Sequence, residues 1–188
     1  MDSDLPLIQA LQAGDDSALN ELINRHREPL FYFVFRYLRD ETAARDVVQE
    51  TFVRVYFKAA KFVPKSTVKT WIHTIALNLC RDHARWRGRR GGQISLDAPV
   101  LYEGASPLEV PDGAATPSMQ AEQSDRFGLL QRAIDRLPHK LKSALVLFSL
   151  EGRSQQEAAE VLGTTPKTVE LRVYHAKAKL RDALRGEG

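Results

Sequence analysis

The chain has 188 residues, of which 43% are apolar and 8% aromatic, so it can bury one or two ordinary globular cores. A formal net charge of +3 is only a weak indication of an anionic partner, and the single cysteine, Cys80, excludes an intramolecular disulfide framework. Because no signal peptide is evident and no apolar run approaches the roughly 18 residues of a spanning helix, we expect a cytoplasmic protein without membrane insertion.

Helical periodicity runs through almost the whole segment 5–90, without the alternation that predicts strands. The first predicted helix ends at Gly14. The second begins at a cap on Asp15 or Asp16, and Pro29 is expected to kink or interrupt it. Four helices are predicted in all, the others lying over 5–13, about 41–60 and about 67–87.

The third predicted helix has a polar strip beside its apolar side. The strip consists of Asp46, Gln49, Glu50 and Arg54, and the positions that can face inward are Val48, Phe52, Val55 and Tyr56. An acidic strip with one arginine is most often ordinary solvated surface. A docking site for another protein is the alternative that these residues leave open.

The fourth predicted helix follows a loop at 62–66 and has two unlike faces. Its apolar stripe is Ile72, Ile75, Ala76 and Leu79, and the opposite side carries Thr70, Thr74, Asn78, Arg81 and Arg85. Hydroxyl, amide and guanidinium groups in one row suit phosphates and unpaired base edges, although a solvated face has the same pattern. Trp71 flanks the stripe and either packs on it or wedges against an opened duplex.

His73, Cys80 and His83 lie along one flank of the same helix, and imidazole with thiolate is a ligand set that zinc accepts. No fourth ligand and no Cys-x-x-Cys pair accompanies them. A lone cysteine on a helix is usually a small buried hydrophobe. We therefore expect no metal ion and no cofactor.

The segment 93–125 differs in composition from its surroundings, because it has six carboxylates and four prolines but no Lys, Arg or His. It predicts an acidic, flexible, extended linker between an N-terminal domain at 1–92 and a C-terminal domain at 126–188. The fold class expected is therefore all-α with two helical domains. The second core is predicted from Ile134, Leu137, Leu141, Leu145, Val146, Phe148 and Leu150.

Residues 154–184 predict a helix-turn-helix. Ser154 and Glu157 form a capping box at the start of its first helix, and Gly163 stands where a left-handed residue would end that helix. Thr165 and Pro166 supply the cap and the first position of the second helix. The inward side of the second helix is Val169, Val173, Ala176 and Leu180, and its outward face is Lys167, Thr168, Glu170, Leu171, Arg172, Tyr174, His175, Lys177 and Lys179. Such a face suits a DNA groove.

Three parts of the sequence together resemble one family. They are residues 46–52 (DVVQETF), residues 69–82 (KTWIHTIALNLCRD) and the helix-turn-helix, and they follow one another in this order. The chain is similar to the extracytoplasmic-function (ECF) sigma factors of bacterial RNA polymerase over nearly its whole length, apart from the linker. The resemblance implies a sigma region 2-like N-terminal domain and a sigma region 4-like C-terminal domain.

The resemblance also implies a partner for each surface. The clamp coiled coil of the core polymerase would bind Asp46, Gln49, Glu50, Phe52 and Arg54. The minus-ten element of the promoter would contact Phe62, Lys65, Ser66, Thr70, Trp71, Thr74, Asn78, Arg81 and Arg85, with one unstacked base captured between the loop and Asn78. The outward face of the second helix of the helix-turn-helix would read the minus-thirty-five element, and the acidic linker would occupy the basic RNA exit path.

The family often has Lys or Arg followed by Ser where this chain has Glu170 and Leu171. A carboxylate accepts from cytosine N4 and a leucine contacts the thymine methyl group, so we expect an unusual minus-thirty-five sequence. The cationic residues of the same face are expected to contact phosphates, and they are Lys167, Arg172, Lys177 and Lys179.

Two other classes of function have less support. An enzyme would need a glycine-rich phosphate loop, a nucleophile elbow or a metal cluster, none of which is recognisable, so we expect no catalysis by the chain itself. A stand-alone helix-turn-helix transcriptional regulator would bind duplex operators unaided, usually as a symmetric dimer. The resemblance further implies a probable anti-sigma factor and a role in stress response, while Cys80 without a resolving thiol argues against redox sensing.

Overall fold

The computed structural model describes residues 2–89 and 117–186, with side chains described for 2–89 and 126–185. Over these ranges the chain forms helices and no strand, which confirms the all-α prediction. In chain order the elements are α1 (Leu5–Gln12), α2 (Ser17–Leu38), α3 (Glu41–Ala59), α4 (Val68–Arg89), α5 (Pro117–Asp135), α6 (His139–Leu145) with a π-helical turn (Val146–Leu150), α7 (Gln155–Leu162) and α8 (Pro166–Gly186).

The N-terminal lobe, α1 to α4, contains the four helices that the periodicity predicts. α2 continues through Pro29, so the predicted possibility of an interruption there is wrong. The proline removes one backbone hydrogen bond, and the complete burial of Leu30, Phe33 and Val34 in the following turn offsets that loss.

The junction between α2 and α3 is sharp. Arg39 has left-handed backbone with φ 58° and ends α2, which lets the chain reverse at once. Asp40 then caps α3, since its Oδ1 accepts a hydrogen bond from the Ala43 amide at 2.9 Å. α2 and α3 consequently pack side by side.

α4 is buried on more than one side. Its predicted stripe of Ile72, Ile75, Ala76 and Leu79 is buried against the other helices of the N-terminal lobe, as expected. His73, Leu77 and Cys80 are buried as well, because α4 packs on α2 and α3 and also on α7.

The C-terminal lobe, α5 to α8, contains the predicted helix-turn-helix. Ser154 Oγ accepts from the Glu157 amide at 3.2 Å while a Glu157 carboxylate oxygen accepts from the Ser154 amide at 2.9 Å, which completes the capping box. Gly163 is left-handed with φ 59°, and Thr165 Oγ1 accepts from the Thr168 amide at 3.2 Å. The predicted inward residues of α8, Val169, Val173, Ala176 and Leu180, are all buried.

The structure corrects the boundary of the predicted linker. α5 begins at Pro117, so residues 117–125 are helical and not extended. Pro117 is well suited to the first turn of a helix, and the Met, Gln, Ala and Glu residues that follow have good helix propensity although they lack an apolar stripe. The rest of the predicted linker, 93–116, lies outside the described residues.

The two lobes pack directly on each other. Leu147, Val161 and Val173 belong to the same buried cluster as α2, α3 and α4, whereas Ile134, Leu137, Leu145, Ala176 and Leu180 form a separate cluster inside the C-terminal lobe. The predicted second core is therefore divided between an internal cluster and the interface. Leu150, which was expected in that core, is 41% exposed.

Candidate protein and nucleic-acid interfaces

The polar strip of α3 lies on the surface of the N-terminal lobe. Asp46 and Gln49 are exposed, and the half-buried Arg54 donates from Nε to Glu50 Oε1 at 2.7 Å. Phe52 is only 5% exposed, and its part in binding core polymerase stays a prediction. Its ring forms part of the floor beneath the strip.

An apolar groove of about 990 Å³ runs between α2 and α3 beside the strip. Its lining includes Tyr32, Gln49, Phe52, Val53, Tyr56 and Phe57. Phe57 is 74% exposed, which is an unusual position for a large aromatic side chain. Tyr56 was expected to face inward, but it is 38% exposed and opens onto the groove.

The sequence contains a signal for this groove. Val53, Tyr56 and Phe57 have the spacing i, i+3, i+4, which is a second apolar stripe in addition to the core stripe. When a helix has two apolar stripes and one of them packs on its own domain, the second stripe stays exposed to solvent.

The loop between α3 and α4 carries the first predicted minus-ten residues. Phe62 is half-buried, and its ring centroid lies 4.7 Å from that of Trp71. Lys65 is exposed and Ser66 is half-buried. Trp71 is thus packed between the core and the loop, which agrees with the packing alternative and places the side chain next to the predicted DNA surface.

The predicted outward face of α4 is only partly accessible. Asn78 and Arg85 are exposed, as expected. Thr70 is 4% exposed, so its predicted place on the open face is wrong. Its hydroxyl accepts a hydrogen bond from Thr67 Oγ1 at 2.9 Å at the start of the helix. α7 packs on this side of α4, where Thr74, one turn after Thr70, contacts the Val161 carbonyl, and no helical period within α4 reports that packing.

Thr74 and Arg81 contact the C-terminal lobe. Thr74 Oγ1 lies 3.4 Å from the Val161 carbonyl, and Arg81 Nη2 lies 3.4 Å from Ser143 Oγ. Both distances are long for hydrogen bonds, and among the described atoms Arg81 Nε is buried without a partner. The predicted minus-ten face is therefore partly covered in this conformation, with Arg81 incompletely satisfied.

The outward face of α8 is open to solvent along its length. Leu171 is 54% and Tyr174 is 65% exposed, and Lys167 donates to Glu170 Oε2 at 2.9 Å across the first turn. The other predicted contacts divide into exposed side chains, which are His175, Lys177 and Lys179, and the half-buried Thr168 and Arg172. This face is thus more accessible than that of α4.

Two of the three candidate zinc ligands, His73 and Cys80, are buried in other surroundings. Burial lowers the pKa of His73 from 6.5 to about 3, and its Nδ1 donates to the Lys69 carbonyl at 2.8 Å. Burial raises the pKa of the Cys80 thiol, which keeps it protonated. In the described ranges, no three side chains of His, Cys, Asp or Glu come together in an arrangement that could hold a metal ion.

Among residues 2–89 and 117–186, no helix combines the length and apolar character needed to cross a membrane.

Comparisons with known proteins agree with this geometry. The family model described as Sigma-70 region 2 matches residues 22–90, and the model described as Sigma-70, region 4 matches residues 127–180. The ECF RNA polymerase sigma factor SigE of Mycolicibacterium smegmatis is 34% identical over 91% of this chain and 64% of its own length.

Two solved structures have a similar fold. CnrH, solved in complex with the cytosolic domain of CnrY, is 26% identical with a TM-score of 0.67 over 100% of both chains. The sigma factor RpoE of Bartonella quintana, solved with the anti-sigma factor NepR, is 21% identical with a TM-score of 0.57 over 88% of this chain and 96% of that one, which supports the fold alone. The two sigma-70 regions follow one another in order, and the second contains the helix-turn-helix with its open outer face. Together with the similarity to SigE, they show that the chain belongs to the ECF sigma factors of bacterial RNA polymerase.

Proposed function

We propose that this protein is a dissociable initiation subunit that directs core RNA polymerase to a specific class of promoters and assists their opening. The observation that carries the proposal is the open face of α8 in a chain that has a second, differently built polar face on α4. One helix is shaped for duplex DNA and the other for unpaired bases. The polymerase catalyses bond formation during RNA synthesis, and the chain itself performs no catalysis. Its place of action is the cytoplasm.

The core polymerase is proposed to bind the α3 strip together with the groove beside it. Asp46, Gln49 and Glu50 provide carboxylate and amide groups at the rim, and the exposed ring of Phe57 provides apolar area. A polar rim around an aromatic centre is the usual composition of a stable protein interface. Phe52 supports this surface from below, and Arg54 holds Glu50 in place.

The minus-ten element is proposed to bind the loop and the exposed side of α4. Phe62, Lys65 and Ser66 would hold an unstacked base at the loop, and Asn78 and Arg85 would contact the same strand further along α4. Thr74 and Arg81 belong to this surface once the C-terminal lobe has moved away. Trp71 positions Phe62 by direct ring contact.

The minus-thirty-five element is proposed to bind α8. Glu170 and Leu171 lie at the exposed N-terminal part of the helix, where recognition helices contact base edges. Lys177 and Lys179 lie further along, where a cation meets a phosphate and fixes the position of the helix. Glu170 has to leave Lys167 when it reads a base, and this costs little because both side chains are more than half exposed.

Regulation by an anti-sigma factor is part of the proposal. The related fold of RpoE was solved with such an inhibitor, and CnrH was solved with the cytosolic domain of CnrY. In the present chain the two lobes already cover part of the minus-ten face, so an inhibitor that holds them together would keep the protein inactive. A partner that separates them, such as core polymerase, would have the opposite effect.

Reconstituted transcription tests the proposal. Purified protein is mixed with bacterial core polymerase and a randomised promoter library, and the transcripts are sequenced. Transcripts that start at a defined promoter class only when the protein is present would support the sigma-factor function. A stand-alone regulator would give a different result, namely tight binding of duplex operators without polymerase and unchanged start sites.

A further inference from the structure

α1 precedes the region that matches sigma-70 region 2, which begins at residue 22. The two ends of α1 contact the two ends of the loop that joins α3 to α4. At its C-terminal end, Gln12 Nε2 donates to the Ala59 carbonyl at 2.9 Å and to the Phe62 carbonyl at 3.1 Å. Just ahead of its N-terminal end, Asp2 Oδ2 accepts from the amide of Val68, the first residue of α4, at 2.7 Å.

A separate set of contacts fixes α1 to the body of the lobe. Asp4 is 6% exposed, and its two carboxylate oxygens lie 3.0 Å from Arg25 Nη1 and 2.8 Å from His26 Nε2. Ile8 is completely buried in the main core. Because α1 is anchored to α2 in this way, the bonds from Asp2 and Gln12 restrain the loop against a rigid support.

The hydrogen bonds of Gln12 require a side chain with two donors. Both partners are carbonyl oxygens, so the amide nitrogen faces them, and an uncharged side chain of this length with two donors is available only in glutamine. The Ala59 carbonyl belongs to the last turn of α3 and also accepts from the Phe62 amide at 3.0 Å, so Gln12 is a second donor to it. Gln12 thus joins the end of α3 to the beginning of the loop.

We propose that α1 is a brace for the minus-ten loop, with Gln12 and Asp2 as positioning residues that do not touch the DNA. The inference rests on the proposed function, in which Phe62, Lys65 and Ser66 hold an unstacked base. A loop that is restrained at its entrance and its exit has the base-holding geometry before DNA arrives, so less ordering is needed on binding. Recognition of the minus-ten element then depends on a helix outside the matched region.

The test uses the full-length chain with core polymerase and compares Gln12→Glu with Gln9→Glu. Both substitutions add one negative charge to an exposed position of α1, but only the first removes the donor to the loop. Transcription is measured on a parent promoter, on minus-ten variants and on minus-thirty-five variants. The discrimination ratio at each element is transcription from the parent promoter divided by transcription from the promoters altered at that element. Amide hydrogen exchange of the free protein at residues 60–67 is measured in parallel. Asp2→Ala serves as a second variant at the other end of the loop.

Gln12→Glu should lower the minus-ten discrimination ratio roughly fivefold, the value of about one lost hydrogen bond, and should speed exchange in the loop. The minus-thirty-five ratio should stay as in Gln9→Glu, and Asp2→Ala should act in the same direction as Gln12→Glu. An equal loss of discrimination at both promoter elements would overturn the brace while leaving the proposed function intact. Faster amide exchange in the loop with an unchanged minus-ten ratio would do the same. Absence of promoter-dependent transcripts with the unaltered protein would instead overturn the proposed function, and the brace with it.

Discussion

Arg36 of α2 and Glu151 of the C-terminal lobe form an ion pair across the interface between the lobes. The Glu151 side chain is 13% exposed and that of Arg36 is 40% exposed, so the pair is partly shielded from solvent. Nearby, Lys142 Nζ lies 5.0 Å from the centre of the Tyr37 ring. These polar contacts border the apolar cluster that covers part of α4. The arrangement in which the two lobes pack on each other is called the closed form below, and substitutions at these contacts can weaken it without damage to either core.

Glu151→Arg should open the two lobes. The substitution places two cations side by side and removes an interaction of about 1 kcal/mol, which corresponds to roughly a fivefold change in the closed-to-open ratio. Small-angle X-ray scattering should show a larger radius of gyration, and the affinity for a single-stranded minus-ten oligonucleotide should rise several-fold. The double variant Arg36→Glu, Glu151→Arg should restore the closed form.

The control for this experiment is Glu28→Arg. Glu28 is an exposed residue of α2 that lines the groove, so the variant makes the same change in net charge away from the contacts between the lobes. If the oligonucleotide bound equally well to Glu28→Arg and Glu151→Arg, added charge alone would account for the gain, and the interface would have no role in covering the minus-ten face.

Phe57→Ser should weaken binding of core polymerase without lowering stability. The ring is 74% exposed, so its removal leaves no cavity in the protein. Loss of an aromatic contact at the centre of an interface typically costs about 1 to 2 kcal/mol, or roughly five- to thirtyfold in Kd. Fluorescence anisotropy with labelled protein measures the affinity. Leu184→Ser, which alters an exposed apolar residue of α8 remote from the groove, should bind normally, and an unchanged Kd for Phe57→Ser would exclude the groove from docking.

Glu170→Arg should change the preferred minus-thirty-five sequence. The carboxylate can accept from a cytosine amino group, whereas arginine reads guanine, and each such contact is worth about 1 to 3 kcal/mol of discrimination. Promoter selection from a randomised library measures the preference. Lys179→Ala is the comparison, because loss of a phosphate contact should weaken all promoters alike. An identical selected sequence for the original protein and Glu170→Arg would rule out base reading by this residue.

Trp71→Ala should reduce open-complex formation to the same extent on duplex and pre-melted templates. The Trp71 ring packs against Phe62 with 4.7 Å between centroids, so its loss disturbs the loop whether or not the DNA is already open. Transcript yield from both templates, with core polymerase and the protein in excess, measures productive open complexes. A loss confined to the duplex template would show that Trp71 acts in melting, in contradiction to the packing role.

His73 should make stability depend on pH. Burial lowers its pKa from 6.5 to about 3. Between these two pH values the imidazole is therefore protonated in the unfolded chain but neutral in the folded protein. The free energy of unfolding should therefore fall as the pH decreases from about 6.5 to about 3, by at most about 1.4 kcal/mol per pH unit from this residue. The free energy of unfolding is obtained from urea titrations at each pH, and its plots against pH for the original protein and His73→Gln should converge towards low pH. Parallel plots would contradict the lowered pKa of His73.

Local sequence determined the features that were predicted correctly. The capping box of Ser154 and Glu157 and the left-handed Gly163 each depend on residues within one or two turns, and the buried side of α8 depends on one helical period. Such features do not change with the surroundings of the helix. The helix-turn-helix and its exposed face could therefore be predicted almost completely.

Contacts between distant segments explain the errors. Thr70 lies on the side of α4 that α7 covers, and no periodicity within α4 reports that helix. Val146 belongs to a cluster shared by both lobes, yet in the sequence it has the same pattern as a residue of a separate core. Only one apolar stripe of α3 is covered by its own lobe, so Tyr56, which was expected to face inward, opens onto the groove beside Phe57.

The dependence of transcription on promoter spacing tests the central claim most directly, since two lobes of one chain must bind one promoter together on the polymerase. Runoff transcription with core polymerase is measured on templates in which the distance between the minus-thirty-five and minus-ten elements increases by single base pairs. We expect a maximum at one spacing and a loss of at least roughly tenfold within two or three base pairs, because the gain from binding both elements disappears when the geometry does not match. Equal transcription at every spacing, or none at any, would contradict it.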